Sequence, residues 1–371
     1  MEGIERKINM KVKTKFLSKA IVMAQKVSKK LQMSFEEKSL GIFVSDGNCY
    51  INISIPSEGK NNIRSFIIEE VKNFNDCLKT LKETFVELYF DGNELKFNSF
   101  SIPVVNELYR DYKEFQGQKG LPNTVSVKAF SSLISQTTYS ATTDKSKNTL
   151  LCCELTTYSD SFDLVATDGY RLAKTSVNNE NTAWSMTSAY VLAEYLDLLK
   201  RFLSDSADNE FVMSDVEDGI RFTVNAKYAK VDIFIPYENI DYPKYSFIID
   251  ASKKDTSVIC KINRERALSA LIKLKGALVS SNMAVMNVQK DAIIFGDEDS
   301  RKFMEKIETE PRVFDKEVEI CFNVKFLIDF FENTDSEKIT MCFAAFNKPA
   351  RFEGINSFSV LMPMLKDKSR W

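Results

Sequence analysis

The residue types that perform most acid–base and metal chemistry in proteins are scarce or scattered in this sequence. It contains no histidine, which removes the usual general base, the usual zinc ligand and any Ser-His or Cys-His nucleophile pair. The seven cysteines, at positions 49, 77, 152, 153, 260, 321 and 342, show no C-x-x-C spacing. We therefore expect reduced thiols in the core rather than a metal or redox site.

An enzyme is one alternative for this chain, and carboxylates or lysines would have to perform its chemistry. None of the 12 glycines forms the G-x-x-x-x-G-K-[ST] loop that binds nucleotide phosphates. Metal-dependent phosphoryl transfer needs clustered carboxylates, for which Asp160, Asp163 and Asp168 are the candidates. Because Asp163 and Asp168 fall on different sides of the predicted strand, we expect no shared metal site and no cofactor. Reproducible hydrolytic turnover would restore this alternative.

Basic residues are distributed unevenly, although the formal net charge is −2. Residues 6–35 contain nine Lys or Arg and no Asp or Glu. A segregated basic surface suits a partner with dense negative charge, such as duplex DNA, whereas a solvated helix face is the structural alternative. No zinc-finger or helix-turn-helix signal accompanies these cations, so we expect contacts to phosphates without base reading.

Length and composition indicate several cores in one chain. With 371 residues, 44% hydrophobic and 27% charged, the chain has enough apolar material for two or three cores. No apolar run approaches the roughly 18 residues of a membrane span, and the N-terminus lacks the apolar region of a signal peptide. A cytoplasmic location is therefore expected.

Short turns between alternating apolar segments recur along the chain. Asp-Gly pairs favour tight hairpins because such turns need positive φ, and they occur at Asp46-Gly47, Asp91-Gly92, Asp168-Gly169 and Asp218-Gly219. Lys290-Asp291 and Asn347-Lys348 occupy corresponding places in the last third. The sequence predicts two hairpins in each third.

Helical spacing repeats in the same order. Apolar residues at i, i+3 and i+4 predict a first helix around 16–24, 130–134 and 268–272, and a second around 74–81, 192–199 and 327–331. The first helices begin about 115 and about 135 residues apart, which a tandem triplication explains most simply. The pattern Asn106-x-x-Tyr109-x-x-Tyr112 also recurs as Asn239-x-x-Tyr242-x-x-Tyr245. Polar linkers are predicted near 116–122 and 251–255.

Two segments resemble a known family. Residues 165–173, Val-Ala-Thr-Asp-Gly-Tyr-Arg-Leu-Ala, resemble the signature of the bacterial β sliding clamp family, the DNA polymerase III β subunits that act as DNA processivity factors. Residues 360–365, Val-Leu-Met-Pro-Met-Leu, resemble the family's C-terminal segment, which lies beside that hairpin. The resemblance extends along the chain from Met10.

The resemblance implies an α+β fold of three tandem DNA-clamp domains, each with two helices packed on antiparallel sheet, forming half of a closed ring. The expected boundaries are an N-terminal extension at 1–9 and clamp domains at 10–124, 125–252 and 253–371. Two subunits would close head to tail, with the dimer seam joining the first domain of one to the third of the other. We expect strands near 74–81 and 269–278 at that seam.

The resemblance also implies a slot for partner peptides between the second and third domains. Its expected residues come from the signature hairpin, the strand before it, the opening of the third domain and the C-terminal strand: Leu150, Thr167, Gly169, Tyr170, Arg171, Leu172, Pro243, Ile248, Val360, Leu361, Met362, Pro363 and Met364. Apolar side chains give such a slot its floor, and flexible methionines adapt to different ligands. Filling of an edge strand is the structural alternative for Met362 and Met364.

The helices of the repeats would line the hole of the ring. The expected DNA-facing residues, most of them on first helices, are Lys15, Lys19, Lys26, Lys29, Lys30, Lys128, Lys145, Lys147, Lys200, Arg201, Arg264, Arg266, Lys273 and Lys275. The implied partners are double-stranded DNA of any sequence, a second copy of the chain, the replicative polymerase subunit, an ATP-dependent clamp loader and other proteins with a clamp-binding motif. No catalysis and no membrane are implied.

The sequence departs from the family pattern near the slot. Tyr170 stands where the family most often has histidine, Phe247 where a basic residue is common, and the final Arg-Leu is Leu365-Lys366, followed by a tail to Trp371. A diverged clamp paralogue of phage or plasmid type, serving other partners, is therefore an alternative. A monomeric three-domain binding module that never closes is another.

Overall fold

The structure is a computed structural model that describes residues 8–59, 64–106, 121–179, 186–254, 256–278, 281–297 and 303–365. Several predicted features lie outside these residues: most of the N-terminal extension (1–7), Tyr109 and Tyr112, linker residues 116–120 and 255, and the tail 366–371 with Trp371.

The described residues alternate between short helices and strands. The seven α-helices are α1 (Thr14–Ala24), α2 (Val71–Lys79), α3 (Val127–Ser135), α4 (Ala193–Leu203), α5 (Ser246–Ala251), α6 (Arg264–Ala277) and α7 (Val324–Asn333). The strands are β1 (Ile8–Lys13), β2 (Leu31–Phe35), β3 (Ser39–Ser45), β4 (Tyr50–Glu58), β5 (Arg64–Ile68), β6 (Phe85–Phe90), β7 (Glu94–Phe97), β8 (Phe100–Pro103), β9 (Asn123–Ser126), β10 (Cys152–Thr157), β11 (Ser161–Thr167), β12 (Arg171–Asn178), β13 (Met186–Leu192), β14 (Glu210–Val216), β15 (Gly219–Ala226), β16 (Ala229–Pro236), β17 (Val258–Asn263), β18 (Met283–Val288), β19 (Ala292–Gly296), β20 (Met304–Phe314), β21 (Val318–Asn323), β22 (Lys338–Phe343), β23 (Ala350–Glu353) and β24 (Ser357–Leu361).

These elements form two compact units. The first draws on the described parts of 1–128 and 198–237, and the second on those of 129–197 and 238–371. The first unit contains a 12-stranded antiparallel sheet with the path β8-β7-β6-β1-β4-β16-β15-β14-β9 and with β2, β3 and β5 beside it. The second contains a 12-stranded antiparallel sheet in the order β13-β10-β11-β12-β24-β23-β22-β17-β20-β19-β18-β21. The expected α+β class, built on antiparallel sheet, is confirmed.

Sheet pairing crosses both predicted repeat boundaries. In the first unit β4 pairs with β16, with Tyr50 opposite Phe234 and their rings stacked 4.6 Å apart. In the second unit β12 pairs with β24, with Arg171 opposite Leu361. The strands of the predicted middle repeat are thus shared between the two sheets. The division at 10–124, 125–252 and 253–371 stays a prediction.

Each core is built from the apolar faces of the helices and strands. In the first unit Phe74 of α2 meets Phe97 of β7 edge to face at 5.3 Å. In the second, α6 and α7 pack on the sheet through Leu271, Leu274 and Leu327, all fully buried. Burial of each such side chain contributes about 1.5–3 kcal/mol relative to exposure.

The last two long helices begin in the same way. Asn263 and Asn323 are extended N-cap residues whose side chains accept from the backbone N–H of Arg266 and Lys325, each at 3.0 Å. An N-cap asparagine satisfies one of the helix donors that lack an internal partner. These caps fix the starts of α6 and α7 directly after strands β17 and β21.

The predicted hairpins are present, but their turns differ from the expectation. In three of them the Asp side chain closes the turn, and the Asp backbone does not have positive φ. The carboxylates of Asp46, Asp91 and Asp168 each accept hydrogen bonds from the backbone N–H groups two and three residues further along the chain. Positive φ is confined to the following glycine, +92° at Gly169. The central residues are therefore the glycine and its successor, as in turns with glycine first.

The fourth Asp-Gly turn is displaced. Val216 pairs with Gly219, so Glu217 and Asp218 form the turn, and Asp218 has φ +62°. Gly219 lies in β15, where a Cβ would overlap the carbonyl oxygen of Ile235 and approach the Phe234 ring to 2.6 Å. This glycine is required by close packing rather than by the turn.

Several predicted helical positions are wrong in detail. Ile272, expected on the buried face of α6, is 50% exposed, and Ala267 and Ala270 are buried there instead. Leu192 ends β13 rather than beginning a helix. Residues 74–81 and 269–278, expected as strands at the seam, lie mainly in α2 and α6.

Candidate functional site

The tip of the β11–β12 hairpin is closed by its own polar side chains. Thr167 Oγ1 donates to the carbonyl of Arg171 at 2.6 Å and accepts the Gly169 N–H at 3.1 Å. Asp168 Oδ1 accepts the N–H groups of Tyr170 and Arg171 at 2.9 and 3.0 Å. Thr167 is 7% exposed. Because these bonds satisfy the turn internally, the side chain of Tyr170 is held outward, 60% exposed.

Arg171 fixes the tip to helix α7. Its guanidinium donates through Nε to Asp168 Oδ2 at 3.0 Å and through an Nη atom to Asp329 Oδ2 at 2.6 Å. It also lies 4.4 Å from the ring centroid of Phe326. With 7% exposure and two carboxylate partners, Arg171 acts as a structural connection.

Tyr139 also lies near this guanidinium, with its ring centroid 5.5 Å from Arg171 Cζ. Burial raises the pKa of the Tyr139 hydroxyl to about 12. The ring therefore stays neutral at physiological pH and packs as an aromatic wall beside Arg171.

The C-terminal strand β24 continues the sheet beside the hairpin. Leu172 is opposite Val360, and the Met362 N–H donates to the carbonyl of Tyr170 at 2.9 Å. Leu361 is fully buried in the core, whereas Met362 is 41% exposed. Tyr170 and Met362 therefore lie side by side on the surface as an aromatic ring and a flexible thioether.

A cavity of about 700 Å³ lies further along the same C-terminal segment. Met364 lines this cavity. Its N–H donates to the carbonyl of Cys321 at 2.7 Å, which forms an isolated bridge to β21. The other lining residues are Lys316, Glu317, Val318, Glu319, Cys321, Ala345, Phe346 and Leu365. Phe346 and Leu365 are exposed, so the cavity offers an apolar opening with charged groups at its margin. Met362 and Met364 are two residues apart, about 7 Å along an extended chain.

A second segment approaches the hairpin tip from the start of β10. Leu150 contacts the tip, since its Cδ1 lies 3.9 Å from the Cβ position of Gly169. Tyr242 donates to the carbonyl of Cys152 at 3.2 Å and stacks on Tyr190 at 5.3 Å. These contacts hold the following Pro243, which is exposed, near the start of β10.

The predicted slot residues thus fall into three groups. Exposed are Tyr170, Pro243 and Met362; half-buried are Leu150, Ile248, Pro363 and Met364; and buried are Thr167, Arg171, Leu172, Val360 and Leu361. Gly169 forms the turn between them. The buried residues pack beneath the exposed side chains of Tyr170 and Met362. Phe247, beside Ile248 on α5, is 65% exposed.

Sequence reasoning missed the residues that reach this region from β21, from α7 and from the turn between β22 and β23. Cys321, Phe346 and Asp329 carry no local sequence signal for this site, because their proximity depends on the pairing of β12 with β24 and on the bridge from Met364.

The cysteines are buried or half-buried thiols. Burial raises the pKa of the Cys152 and Cys260 thiols to about 12. All seven cysteines are free thiols, and five of them are buried.

Some of the predicted DNA-facing cations already have partners within the chain. Lys19 pairs with Asp205 at 2.5 Å, Lys30 with Glu69 at 2.5 Å and Lys273 with Glu305 at 3.0 Å. Arg264 donates to the carbonyl of Phe331 at 3.0 Å, at the end of α7. Lys19, Lys30 and Lys273 therefore each have a neighbouring carboxylate that offsets their charge, whereas Arg264 joins α6 to the end of α7 through a neutral carbonyl.

The remaining predicted cations lie at different places on the two units. Exposed are Lys15 on α1, Lys26 and Lys29 after its end, Lys128 on α3, Arg201 in the last turn of α4, and Arg266 and Lys275 on α6; Lys200 is half-buried. The expectation that Lys145 and Lys147 belong to a first helix is wrong, because α3 ends at Ser135. Lys147 lies instead 5.5 Å from the centroid of the Tyr170 ring.

The carboxylates considered for metal chemistry have separate cations. Asp163 pairs with Lys174 at 2.6 Å, and Asp168 pairs with Arg171. Within the described ranges, no group of His, Cys, Asp or Glu has the arrangement of a metal site. In the same part of the chain, no helix has the length and apolar composition to cross a membrane.

Sheets of this topology, with paired helices and these hairpins, define the sliding-clamp fold. The chain is similar in structure to the DNA polymerase III β subunit of Thermotoga maritima, with a TM-score of 0.84 and 15% sequence identity. It is also similar to the sliding clamps of Bacillus subtilis (TM-score 0.84, 15% identity) and Pseudomonas aeruginosa (TM-score 0.82, 16% identity). Each comparison covers 97% of this chain and 100% of the other. No curated protein sequence matches the chain. At such identities the likeness shows the fold alone.

Models of protein families show to which family the chain belongs. The model for the central domain of the DNA polymerase III beta subunit matches residues 124–233, and the model for its C-terminal domain matches residues 254–365. Together they cover more than half of the chain. The chain therefore belongs to the DNA polymerase III β-subunit family of sliding clamps.

Proposed function

We propose that this chain is a sliding clamp that closes around duplex DNA as a head-to-tail homodimer and holds the replicative polymerase subunit on its template. It acts without catalysis, in the cytoplasm, and an external ATP-dependent clamp loader places it on DNA, since the sequence has no nucleotide-binding loop of its own. Persistence comes from encirclement, while contacts to phosphates are weak and independent of sequence.

One observation carries the partner-binding part of this proposal. The signature hairpin and the C-terminal segment are distant in sequence, and hydrogen bonds join them so that Tyr170 and Met362 are exposed beside each other. The cavity at Met364 begins two residues further on. An exposed aromatic ring, a flexible methionine and a neighbouring apolar cavity suit a short apolar peptide with an aromatic or aliphatic anchor.

The alternative is a diverged paralogue that keeps the fold but serves other partners. Tyr170 favours this alternative, because it stands where the family most often has histidine and its ring centroid lies 5.5 Å from the Lys147 ammonium. A slot built in this way has a different peptide preference from one built around histidine.

Binding of a fluorescently labelled consensus clamp-binding peptide tests the proposal. We expect Tyr170→Ala to weaken binding about tenfold and Tyr170→Phe to retain it, because the ring area and not the hydroxyl forms the contact. Fluorescence anisotropy measures both affinities.

Tyr158→Ala is the matched control for this experiment. Tyr158 is 45% exposed in the turn before β11, at the end of that strand away from the hairpin tip, so its removal deletes a similar ring without removing Tyr170 or Met362. If wild-type protein binds other apolar peptides but not the consensus peptide, the paralogue is favoured. Equal affinities for Tyr170→Ala and Tyr158→Ala would remove the hairpin tip from the site.

A further inference from the structure

The loop that leads into β10 is closed on itself beside the hairpin tip. The Thr142 N–H donates to the carbonyl of Leu150 at 3.0 Å, and the Leu150 N–H donates to the carbonyl of Lys147 at 2.9 Å. The Lys147 N–H in turn donates to the carbonyl of Asp144 at 3.0 Å. Because Leu150 Cδ1 also lies 3.9 Å from the position that a Cβ would take at Gly169, these bonds place the backbone of Lys147 close to the tip.

The ammonium of Lys147 lies over the ring of Tyr170, with Nζ 5.5 Å from the ring centroid. Both residues are exposed. The two carboxylates that meet at the tip have another cation, since Asp168 and Asp329 both pair with Arg171. In the part of the chain that the structure describes, no carboxylate lies within ion-pair distance of the Lys147 ammonium.

An ammonium over an aromatic ring keeps its ability to bind an anion. The face of the ring attracts the cation through its quadrupole, but the ring carries no net charge. A lysine ammonium has three N–H donors, and a charge-assisted hydrogen bond to a carboxylate is stronger than a bond between neutral groups. The pair of Lys147 and Tyr170 can therefore hold a carboxylate and an apolar side chain at the same time.

We propose that Lys147 and Tyr170 select partner peptides that carry a carboxylate two residues from the apolar anchor. Alternate side chains of an extended peptide point to the same side and are about 7 Å apart, which is comparable with the 5.5 Å between the ammonium and the ring centroid. A side chain next to the anchor points to the opposite side. The anchor itself contacts Tyr170 and the exposed Met362. The selection rests on the proposed function and adds the charge of the partner to it.

Three labelled peptides that share one apolar anchor test the selection. The first carries Asp two residues from the anchor, the second carries Asn at that place, and the third carries Asp next to the anchor. The set is made once with the substitution before the anchor and once with it after the anchor, because the direction of the bound peptide decides which side is in reach.

Fluorescence anisotropy measures the affinities. In low salt, we expect the wild-type chain to bind the first peptide of one set about 2- to 5-fold more tightly than the second, as an exposed ion pair allows. The third peptide should bind no more tightly than the second. In about 1 M salt the difference should vanish, because charges are then screened beyond about 3 Å.

Substitutions in the loop identify the group that recognises the carboxylate. Lys147→Gln should bring the ratio of the first two affinities to about one, and Lys147→Arg should keep it, because the guanidinium retains the charge. Lys147→Glu should favour a peptide with Lys in place of Asp. Tyr170→Ala should lower the ratio as well, because no ring then holds the ammonium in place. Lys145→Gln is the matched control: it removes the same charge from an exposed position of the same loop, and it should keep the wild-type ratio.

The outcomes distinguish the selection from the proposed function. A wild-type ratio of one in both sets, or a ratio that Lys147→Gln leaves unchanged, would overturn the selection and leave peptide binding itself intact. If Lys147→Gln keeps the ratio and instead lowers loading on nicked circular DNA, Lys147 contacts phosphates and the selection is wrong. Failure of the wild-type chain to bind any of the peptides would contradict the proposed function and the selection together.

Discussion

Arg171 shows how a residue in a binding motif can act from beneath the surface. Its guanidinium connects Asp168 in the hairpin turn with Asp329 in α7, and the side chain is almost completely buried. A buried cation with two carboxylate partners is costly to leave incomplete, because each carboxylate would lose its compensation. The position of Tyr170 beside Met362 therefore depends on Arg171.

Replacement of Arg171 by alanine should lower the free energy of unfolding by about 2–4 kcal/mol, because Asp168 and Asp329 lose their partner in a largely dry environment. Arg171→Lys should recover part of the loss, since an ammonium cannot reach both carboxylates as the guanidinium does. Urea denaturation followed by circular dichroism measures the change. Tyr170→Phe is the control and should stay within about 0.5 kcal/mol of wild type; an equally small effect of Arg171→Ala would contradict the structural role.

At the scale of elements, one turn design recurs in hairpins from different parts of the chain. Asp46, Asp91 and Asp168 close their turns by accepting two backbone N–H groups, and the next residue is a glycine with positive φ. The β14–β15 hairpin has the same Asp-Gly letters and a different structure, because Gly219 is packed against β16. Identical dipeptides therefore serve a turn in one place and a close strand contact in another.

The strand contact at Gly219 gives a test with an internal control. Gly219→Ala should destabilise the protein by about 1–3 kcal/mol, because the added methyl group overlaps backbone in β16 that cannot move away. Gly276→Ala in α6 meets nothing within 4 Å and should stabilise by about 0.5–1 kcal/mol through helix propensity. Thermal denaturation of both variants measures the difference; a neutral Gly219→Ala would show that β15 and β16 pack less closely than described.

At the scale of the whole chain, sheet pairing replaces flexible linkage between repeats. The pairs β4–β16 and β12–β24 each join strands from different predicted repeats by backbone hydrogen bonds. A polar linker between repeats therefore does not make the repeats independent. Each compact unit therefore combines strands of two predicted repeats in one sheet.

The proposed ring predicts separate effects on DNA and on assembly. Charge reversal of Lys29, Lys30, Lys200 and Arg201 to Glu should lower loading on nicked circular DNA and polymerase processivity by about tenfold or more, because phosphate contacts and counterion release are lost. Light scattering should still give a mass near twice the 42.4 kDa chain. The comparison variant carries Glu at Lys227, Lys230, Lys253 and Lys254, and it should load normally. Normal tethering by the first variant, or a mass of one chain for the wild type, would contradict the assignment.

The sequence by itself determined the hairpins and most of the helices of an α+β chain, because these depend on local periodicity and turn chemistry. Two of its segments also resembled the family to which the domain models assign the chain. Only the tertiary structure decided that Arg171 is buried, that Lys19, Lys30 and Lys273 are paired, and that Ile272 faces outward. It also brought Cys321 and Phe346 to Met364. These features depend on which strands become neighbours, and strand pairing between distant segments is set by the packing of whole sheets rather than by any local pattern.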